Sequence, residues 1–365
     1  MKFLHTADLH IGKKLNEIDL LEDQKFVLNQ ISAKAQSCDA VLIAGDIYDV
    51  SVPSGEALRL YSDFIETLIK NNKTVFAVSG NHDSGERLSQ FSALMRESGY
   101  YISEKFNGKL QTFTVNDEFG EINIHLLPFI RPANVSVFSG EKYETTEDAV
   151  KAVINNANID YSERNILIIH QFVMPENTDN EFLGTLETVR SGLFERFDYV
   201  AVGHIHSNLN LGYDYIRYSG SPLKYSFKEI SDNKTITIVE IKEKGNIQIK
   251  KEELTPLREM REIKGTLDEI LNTPFSLDYV SVIVQDKDVP PDARVSVLTV
   301  FPNMMRFSIA SNNNSFIVEV LEIDEKKSDS QMFSEFYNYV NGEYPDDLRV
   351  NLFEKAMKEL QNEAD

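Results

Sequence analysis

The sequence predicts an α/β fold: a layered domain with a mixed sheet core, then a smaller α+β unit and a helical tail. Three observations carry this. Over the first two-thirds of the chain, short apolar runs alternate with stretches of helical periodicity. Further on, strand follows strand, which points to a mixed rather than a purely parallel sheet. Around Glu252–Lys264 the composition turns to a charged, Pro-containing connector, and a fresh set of elements begins after it.

The elements follow in order. FLHTAD reads as a buried strand, and Glu22–Ser37 as a helix with Phe26, Val27, Ile31 and Ala35 on one side. AVLIAGD (Ala40–Asp46) is a second strand. Ser54 is a natural N-cap for a helix whose apolar positions are Leu58, Tyr61, Ile65 and Leu68. Thr74–Asp83 is a third strand running into a loop; Ile122–Pro128, Asn165–Phe172, Asp198–His206 and Thr235–Ile241 are further strands. Beyond the connector come a short helix (Thr266–Leu271), a strand (Tyr279–Val284), a helix-like stretch (Asp292–Phe301) and strands Met305–Ala310 and Phe316–Leu321. From Ser330 the tail is helical, with Leu348, Leu352, Phe353, Ala356, Met357 and Leu360 as an apolar stripe. The expected division is 1–255, 265–325 and 330–365.

Composition narrows the class. Apolar content of 42% and charged content of 26% are those of an ordinary soluble globular protein. No run is long enough to span a membrane, and Lys2, Asp8 and His10 leave no secretory signal core. With Cys38 as the sole cysteine, no internal disulfide can form, and a reducing cytoplasm is expected. The net charge of −21 argues against gripping nucleic acid through a broad basic surface of its own, although bound cations or a basic partner could reverse the field locally.

The chemistry concentrates where apolar strands end. The first ends in Asp8-x-His10, the second in GDIYD (Asp46, Asp49), the third in GNHD (Asn81, His82, Asp83). NILII runs into His170, and YVAVG into His204-x-His206. Five of the chain's seven histidines lie just past such strands, where a rigid sheet presents side chains to a ligand. Carboxylate, amide oxygen and neutral imidazole suit Mn, Fe or Zn. Asp8, His10, Asp46, Asn81, His170, His204 and His206 are too many donors for one ion, so two ions sharing a bridging carboxylate is the economical arrangement.

In this order the motifs D-x-H, GD-x-x-D, GNHD, H and GH-x-H resemble the calcineurin-like metallophosphoesterase superfamily. Longer segments (HTADLHIGKKL, GDIYDVSVPS, GNHDSGERLS, FDYVAVGHIH, YSGSPLKYSF and TPLREMREIKGTLDEIL) are similar to the SbcD-like family of double-strand-break repair nuclease subunits. The resemblance implies a four-layer α-β-β-α sandwich with a C-terminal capping domain. It implies Asp8, His10 and His206 on one metal, Asn81, His170 and His204 on the second, and Asp46 bridging. His82 would stand near the scissile phosphate, with Asp83 orienting it or capping the next turn, and Asp49 in support. The implied activity is Mn-dependent DNA cleavage by metal-activated hydroxide: 3′→5′ exonuclease on duplex ends and endonuclease on hairpins. The implied partner is an SbcC-type ATPase, in a complex containing a homodimer.

Blander readings stand beside these. His5 and His125, inside apolar strands, are expected to be hydrogen-bonded core residues. Lys13, Lys14, Arg217, Lys224 and Lys228 read as a solvated face, and Ser219–Ser226 as a turn. The apolar stripe of the tail either packs on its own domain or docks on the ATPase. Leu15, Ile18, Leu20 and Leu21 are a candidate part of a dimer face. Two other functions compete: a stand-alone phosphodiesterase or phosphatase on small substrates, and a non-catalytic scaffold. GDIYDVS and GNHD differ from the GD-x-VDRG and GNHE of protein phosphatases, and no ligand of the set is missing.

Overall fold

Strands such as AVLIA and YVAVG are apolar on both faces, so they must lie between two covering layers. In the computed structural model, which describes residues 1–176, 178, 187–310, 334, 337, 344–346, 349, 350, 352 and 353, two sheets meet this demand. Their strands in chain order are β1 (Lys2–Thr6), β2 (Ala40–Ala44), β3 (Thr74–Val78), β4 (Tyr100–Ile102), β5 (Gln111–Asp117), β6 (Gly120–Leu127), β7 (Arg164–His170), β8 (Tyr199–Gly203), β9 (Ile216–Tyr218), β10 (Thr235–Ile241) and β11 (Ile247–Glu253). One sheet has the order β11-β10-β1-β2-β3-β4, the other β9-β8-β7-β6-β5. β1 pairs parallel with β2 and antiparallel with β10, so the first sheet is mixed.

Neighbouring residues on a strand point to opposite faces, and the sandwich uses both. Phe3, Leu42 and Phe76 of the first sheet pack against Ile124, Ile168 and Tyr199 of the second. On its outer face, Leu4, Val41 and Ile43 meet helices α1 (Leu21–Lys34) and α2 (Gly55–Lys70). Leu127, Leu167 and Val200 cover the other outer face with α3 (Pro132–Ser139) and α4 (Thr146–Asn156). The result is the α-β-β-α sandwich that the resemblance implies. Each fully buried large apolar side chain contributes about 1.5–3 kcal/mol.

Most expected inward positions of the two core helices hold (Val27, Ile31, Ala35, Tyr61 and Leu68 are buried), but each helix turns one of them outward. In α1, Val27, Leu28 and Ile31 are buried but Phe26 is exposed. The inward face must carry Gln24, which accepts the Gly12 N–H (2.9 Å) and donates to the His10 carbonyl (2.6 Å). In α2, Ala57, Tyr61, Phe64 and Leu68 face inward and Leu58 outward, while the Ser54 hydroxyl accepts the Ala57 N–H as an N-cap. Of the candidate dimer residues, Leu20 is buried in the core, while Leu15, Ile18 and Leu21 are half-buried and pack against it in part.

The expected connector is mostly strand. β11 runs to Glu253, and β12 (Met260–Gly265) begins a parallel three-stranded sheet with β13 (Tyr279–Val284) and β14 (Met304–Ile309), covered by α5 (Leu267–Leu271) and α6 (Ala293–Val300). β11 and β12 are edge strands, whose charged residues turn outward, and this hid their period from the composition. Arg258 and the Tyr279 hydroxyl both bond Asp23 Oδ2 (2.5 and 2.7 Å), tying this sheet to α1. The strand expected at 316–321 and the stripe positions Leu348, Ala356, Met357 and Leu360 lie outside the described residues. Among the described residues, no helix is long and apolar enough to cross a membrane.

His5 and His125 are core residues, as expected. His5 Nδ1 lies 2.9 Å from the Tyr199 hydroxyl; His125 meets Thr112 Oγ1 (2.8 Å) and Asn165 Oδ1 (2.9 Å). Burial, reinforced by the Arg217 charge, pushes His5 down to about 3. Its folded pKa therefore lies below its unfolded value, and the unfolded chain binds more protons as pH falls. The stability it protects is complete above about pH 6.5 and lost at about 1.4 kcal/mol per unit from there down to its folded pKa. Urea unfolding at pH 7.5 and 5.0 should show this loss, and His5→Val should flatten the slope by about that amount per unit. An unchanged slope would refute it.

Candidate metal centre

β1, β2 and β3 run parallel, as do β7 and β8, so the C-terminal ends within each set share one rim. The motif residues sit in the turns just beyond. Asp8, His10, Asp46 and His204 all have positive φ (53°, 44°, 47° and 110°). For non-glycine residues each such conformation costs about 1–3 kcal/mol and persists only where its surroundings over-determine it. Here they do. The Asp8, His10 and Ile11 N–H groups donate to the carbonyls of Gly45, Asp46 and Ile47 (3.0, 3.0 and 2.9 Å), lacing the first two turns together. The His204 N–H donates to both Asp8 carboxylate oxygens (2.9 and 3.1 Å).

Two glycines allow the ligand turns to approach closely, one between the sheets and one within the first. A Cβ on Gly203 would lie 1.8 Å from the Ala44 carbonyl oxygen, and one on Gly80 would lie 2.1 Å from Asp46 Oδ1. Neither position admits another residue without moving the ligand turns.

Potential ligand atoms of Asp8, His10 and His206 lie within 4.8 Å of one another, as do those of Asp8, Asp46 and His170, and of His10, Asp46 and His82. His10 Nε2 is 3.2 Å from His206 Nε2 and 3.7 Å from Asp46 Oδ2. Asn81 Oδ1 lies 3.1 Å from His170 Nε2 and 3.0 Å from His204 Nδ1, and Asp46 Oδ2 is 3.4 Å from His170 Nε2. All seven expected ligands thus converge, with Asp46 between the two groups. Asp8, His10, Asp46 and His170 are buried; Asn81, His82, His204 and His206 form the accessible side.

The groups behind the rings say what belongs between them. His206 Nδ1–H donates to Glu229 Oε1 (3.1 Å), and His10 Nδ1 faces Asp49 Oδ1 at 3.4 Å. Both Nε2 atoms are then lone-pair donors aimed at each other and at Asp8, which suits a cation and repels otherwise. His170 Nδ1–H donates to the Ala44 carbonyl (2.8 Å), leaving Nε2 to face the oxygens of Asn81 and Asp46. The donor set fits divalent ions with nitrogen and oxygen ligands.

Electrostatics agree. Burial pushes Asp8 up, offset only in part by His170. Burial also works to raise Asp46, but His170 and His10 hold it well below the carboxylate range. Burial would lower His170, yet the Asp46 charge raises it, to about 9, a measure of how strongly this pocket attracts positive charge. Burial lowers His10 and His204 to about 4, the neutral form a ligand requires.

Asp83 belongs to the scaffold. Its carboxylate accepts the N–H groups of Ile47, Tyr48 and Gly80 (3.0, 2.9 and 2.8 Å), pinning the second turn to the third. His82 is instead oriented by the Asp49 carbonyl, 2.7 Å from its Nδ1. The Asp49 carboxylate joins Lys13 Nζ (2.8 Å) with the back of His10. Lys13, Lys224 and Arg217 are therefore not part of a solvated face. Lys13 pairs with Asp49, Lys224 with Glu259 (2.7 Å), and Arg217 is buried, whereas Lys14 and Lys228 are exposed.

Sequence reasoning missed Tyr225, Glu229 and Lys234. The Tyr225 ring lies 5.5 Å from that of His10 and 5.8 Å from that of His206, its hydroxyl donating to the Leu9 carbonyl. Lys234 Nζ holds Glu229 Oε2 (2.5 Å) and the His206 carbonyl (2.9 Å). YSGSPLKYSF marked this segment by resemblance, but no ligand-type spacing singles out Glu229.

Comparison with known proteins adds independent findings. Residues 1–208 match the calcineurin-like phosphoesterase family, and residues 256–341 match a family described as the type 5 capsule protein repressor C-terminal domain (SbcD_C). The SbcD subunit of nuclease SbcCD from Staphylococcus saprophyticus is 31% identical over 380 aligned residues, covering 100% of both chains. The protein of the same name from Staphylococcus epidermidis is 31% identical, covering 94% of each. Of solved structures, TT1561 of Thermus thermophilus is 12% identical with a TM-score of 0.38, covering 68% of this chain and 98% of that one, a likeness too loose to argue from. The chain spans its relatives, carries their motifs and folds those motifs into one rim: it belongs to the calcineurin-like phosphoesterases and, within them, to the family of SbcD nuclease subunits.

Proposed function

We propose that the chain is a DNA nuclease that uses two Mn²⁺ ions, cutting duplex ends 3′→5′ and hairpins endonucleolytically in a complex with an SbcC-type ATPase. The observation that carries this is the convergence of two buried carboxylates, Asn81 and four imidazoles on one rim, with their lone pairs facing each other. Asp8, His10 and His206 would hold one ion, Asn81, His170 and His204 the other, with Asp46 available to both. Such a pair, when bound, would supply Lewis-acid stabilisation of the phosphoryl group and a nucleophile at neutral pH.

The chain's own residues do the rest. The turns around Asp8 and Asp46, locked by backbone hydrogen bonds, keep the ligands from reorganising during reaction. His82 offers a ring nitrogen within 4.8 Å of ligand atoms of His10 and Asp46 on the accessible side. From there it protonates the leaving oxygen or neutralises charge on the phosphate. The acidity of the chain suits a division of labour in which the ATPase supplies the basic DNA track. In this reading residues 1–255 form the nuclease domain, 265–325 the cap and 330–365 the region that docks the ATPase. Two copies form the homodimer of a cytoplasmic heterotetramer.

The test compares a DNA hairpin, a blunt duplex and bis-p-nitrophenyl phosphate, each with Mn²⁺, with and without the SbcC-type partner and ATP. Both DNA substrates should be cut, and the partner should accelerate cutting. Turnover of the small diester with neither DNA cut under any condition would replace this reading with a small-substrate phosphodiesterase.

A further inference from the structure

The two halves of the centre are backed differently. Behind the Asp8–His10–His206 group stand carboxylates: Asp49 at His10 Nδ1 (3.4 Å) and Glu229 at His206 Nδ1 (3.1 Å). Behind His170 stands only the neutral Ala44 carbonyl (2.8 Å). Glu229 is 9% exposed and held on its other oxygen by Lys234, itself 7% exposed and also bonded to the His206 carbonyl and Ser221 Oγ (3.1 Å). The buried ammonium fixes the carboxylate, the carboxylate fixes the tautomer and tilt of His206, and the same ammonium fixes the backbone of His206. Tyr225 of the same segment packs against the rings of both His10 and His206.

A carboxylate behind a ligating imidazole raises its basicity and orients it, and removing such a partner costs about 10–100-fold in metal affinity. A backbone carbonyl orients without adding charge. We propose that Glu229, clamped by Lys234, is a positioning residue that makes the Asp8–His10–His206 site the tighter of the two. This rests on the ligand assignment above.

Calorimetric titration of the full chain with Mn²⁺ tests it. The unaltered chain should bind two ions in separable steps; His206→Ala should remove the tighter step and His204→Ala the weaker. Glu229→Gln should weaken the tighter step about 10–100-fold while the other step holds; the ion-free chain should melt at a lower temperature, because buried Lys234 loses its charge partner, yet still unfold in one cooperative transition. Glu229→Asp, which keeps the charge, should recover part of the loss. If Glu229→Gln weakens both steps alike, or neither, or if His204→Ala removes the tighter step, the positioning role is wrong. Fewer than two ions on the unaltered chain would instead overturn the ligand assignment, and this inference with it.

Discussion

Replacing Asp46 with alanine is expected to strip the centre of both ions and lower phosphodiester cleavage by at least about 10³-fold, ~4 kcal/mol of barrier. Its carboxylate lies between the two groups of candidate ligands, 3.7 Å from His10 Nε2 and 3.4 Å from His170 Nε2. Two unit charges 4 Å apart interact with about 4 kcal/mol at an effective dielectric constant of 20, so removing one buried carboxylate weakens attraction for two divalent ions at once. Asp46 Oδ1 also accepts the His82 N–H (2.9 Å), so the alanine variant loosens the third turn as well. Asp46→Asn separates the effects by retaining an acceptor while losing the charge. Metal content after dialysis should fall below one ion per chain in both variants, against two in the unaltered protein. Two ions retained in Asp46→Asn would mean that the carboxylate is not shared.

The legible part of this protein was set by local physics. β2, β3 and β8 are short apolar runs closed by Gly and a ligand-type residue, β7 is one that ends directly in His170, and period and punctuation suffice to find them. The ligand candidates were legible for the same reason, because each occupies a strand end. What escaped was decided by tertiary contacts. Phe26 looks like a core residue in isolation, but the inward face of α1 is claimed by Gln24, which holds the Gly12 N–H and the His10 carbonyl. β11 and β12 read as connector because edge strands put charge outward. Glu229 reads as one acidic residue among many, and only the fold brings it across to His206. Asp83, inside a motif, invited a catalytic role, yet its carboxylate is occupied by the backbone of two turns.

His82→Ala should separate chemistry from metal binding. In contrast to Asp46, His82 lies on the accessible side and is anchored from behind by the Asp49 carbonyl, so its loss leaves the buried donors in place. Both ions should stay bound, and DNA cleavage should fall by about 10²–10⁴-fold, the range for a missing general acid. The leaving group decides what His82 does. A deoxyribose oxygen leaves as a strongly basic alkoxide and needs a proton, whereas p-nitrophenolate is stable without one. If His82 is the proton donor, His82→Ala should be far less damaging to bis-p-nitrophenyl phosphate than to DNA. Equal losses on the two substrates would show that it stabilises charge on the phosphoryl group instead. Loss of an ion from His82→Ala would place the imidazole among the ligands, in the group it forms with His10 and Asp46, and remove it from proton transfer.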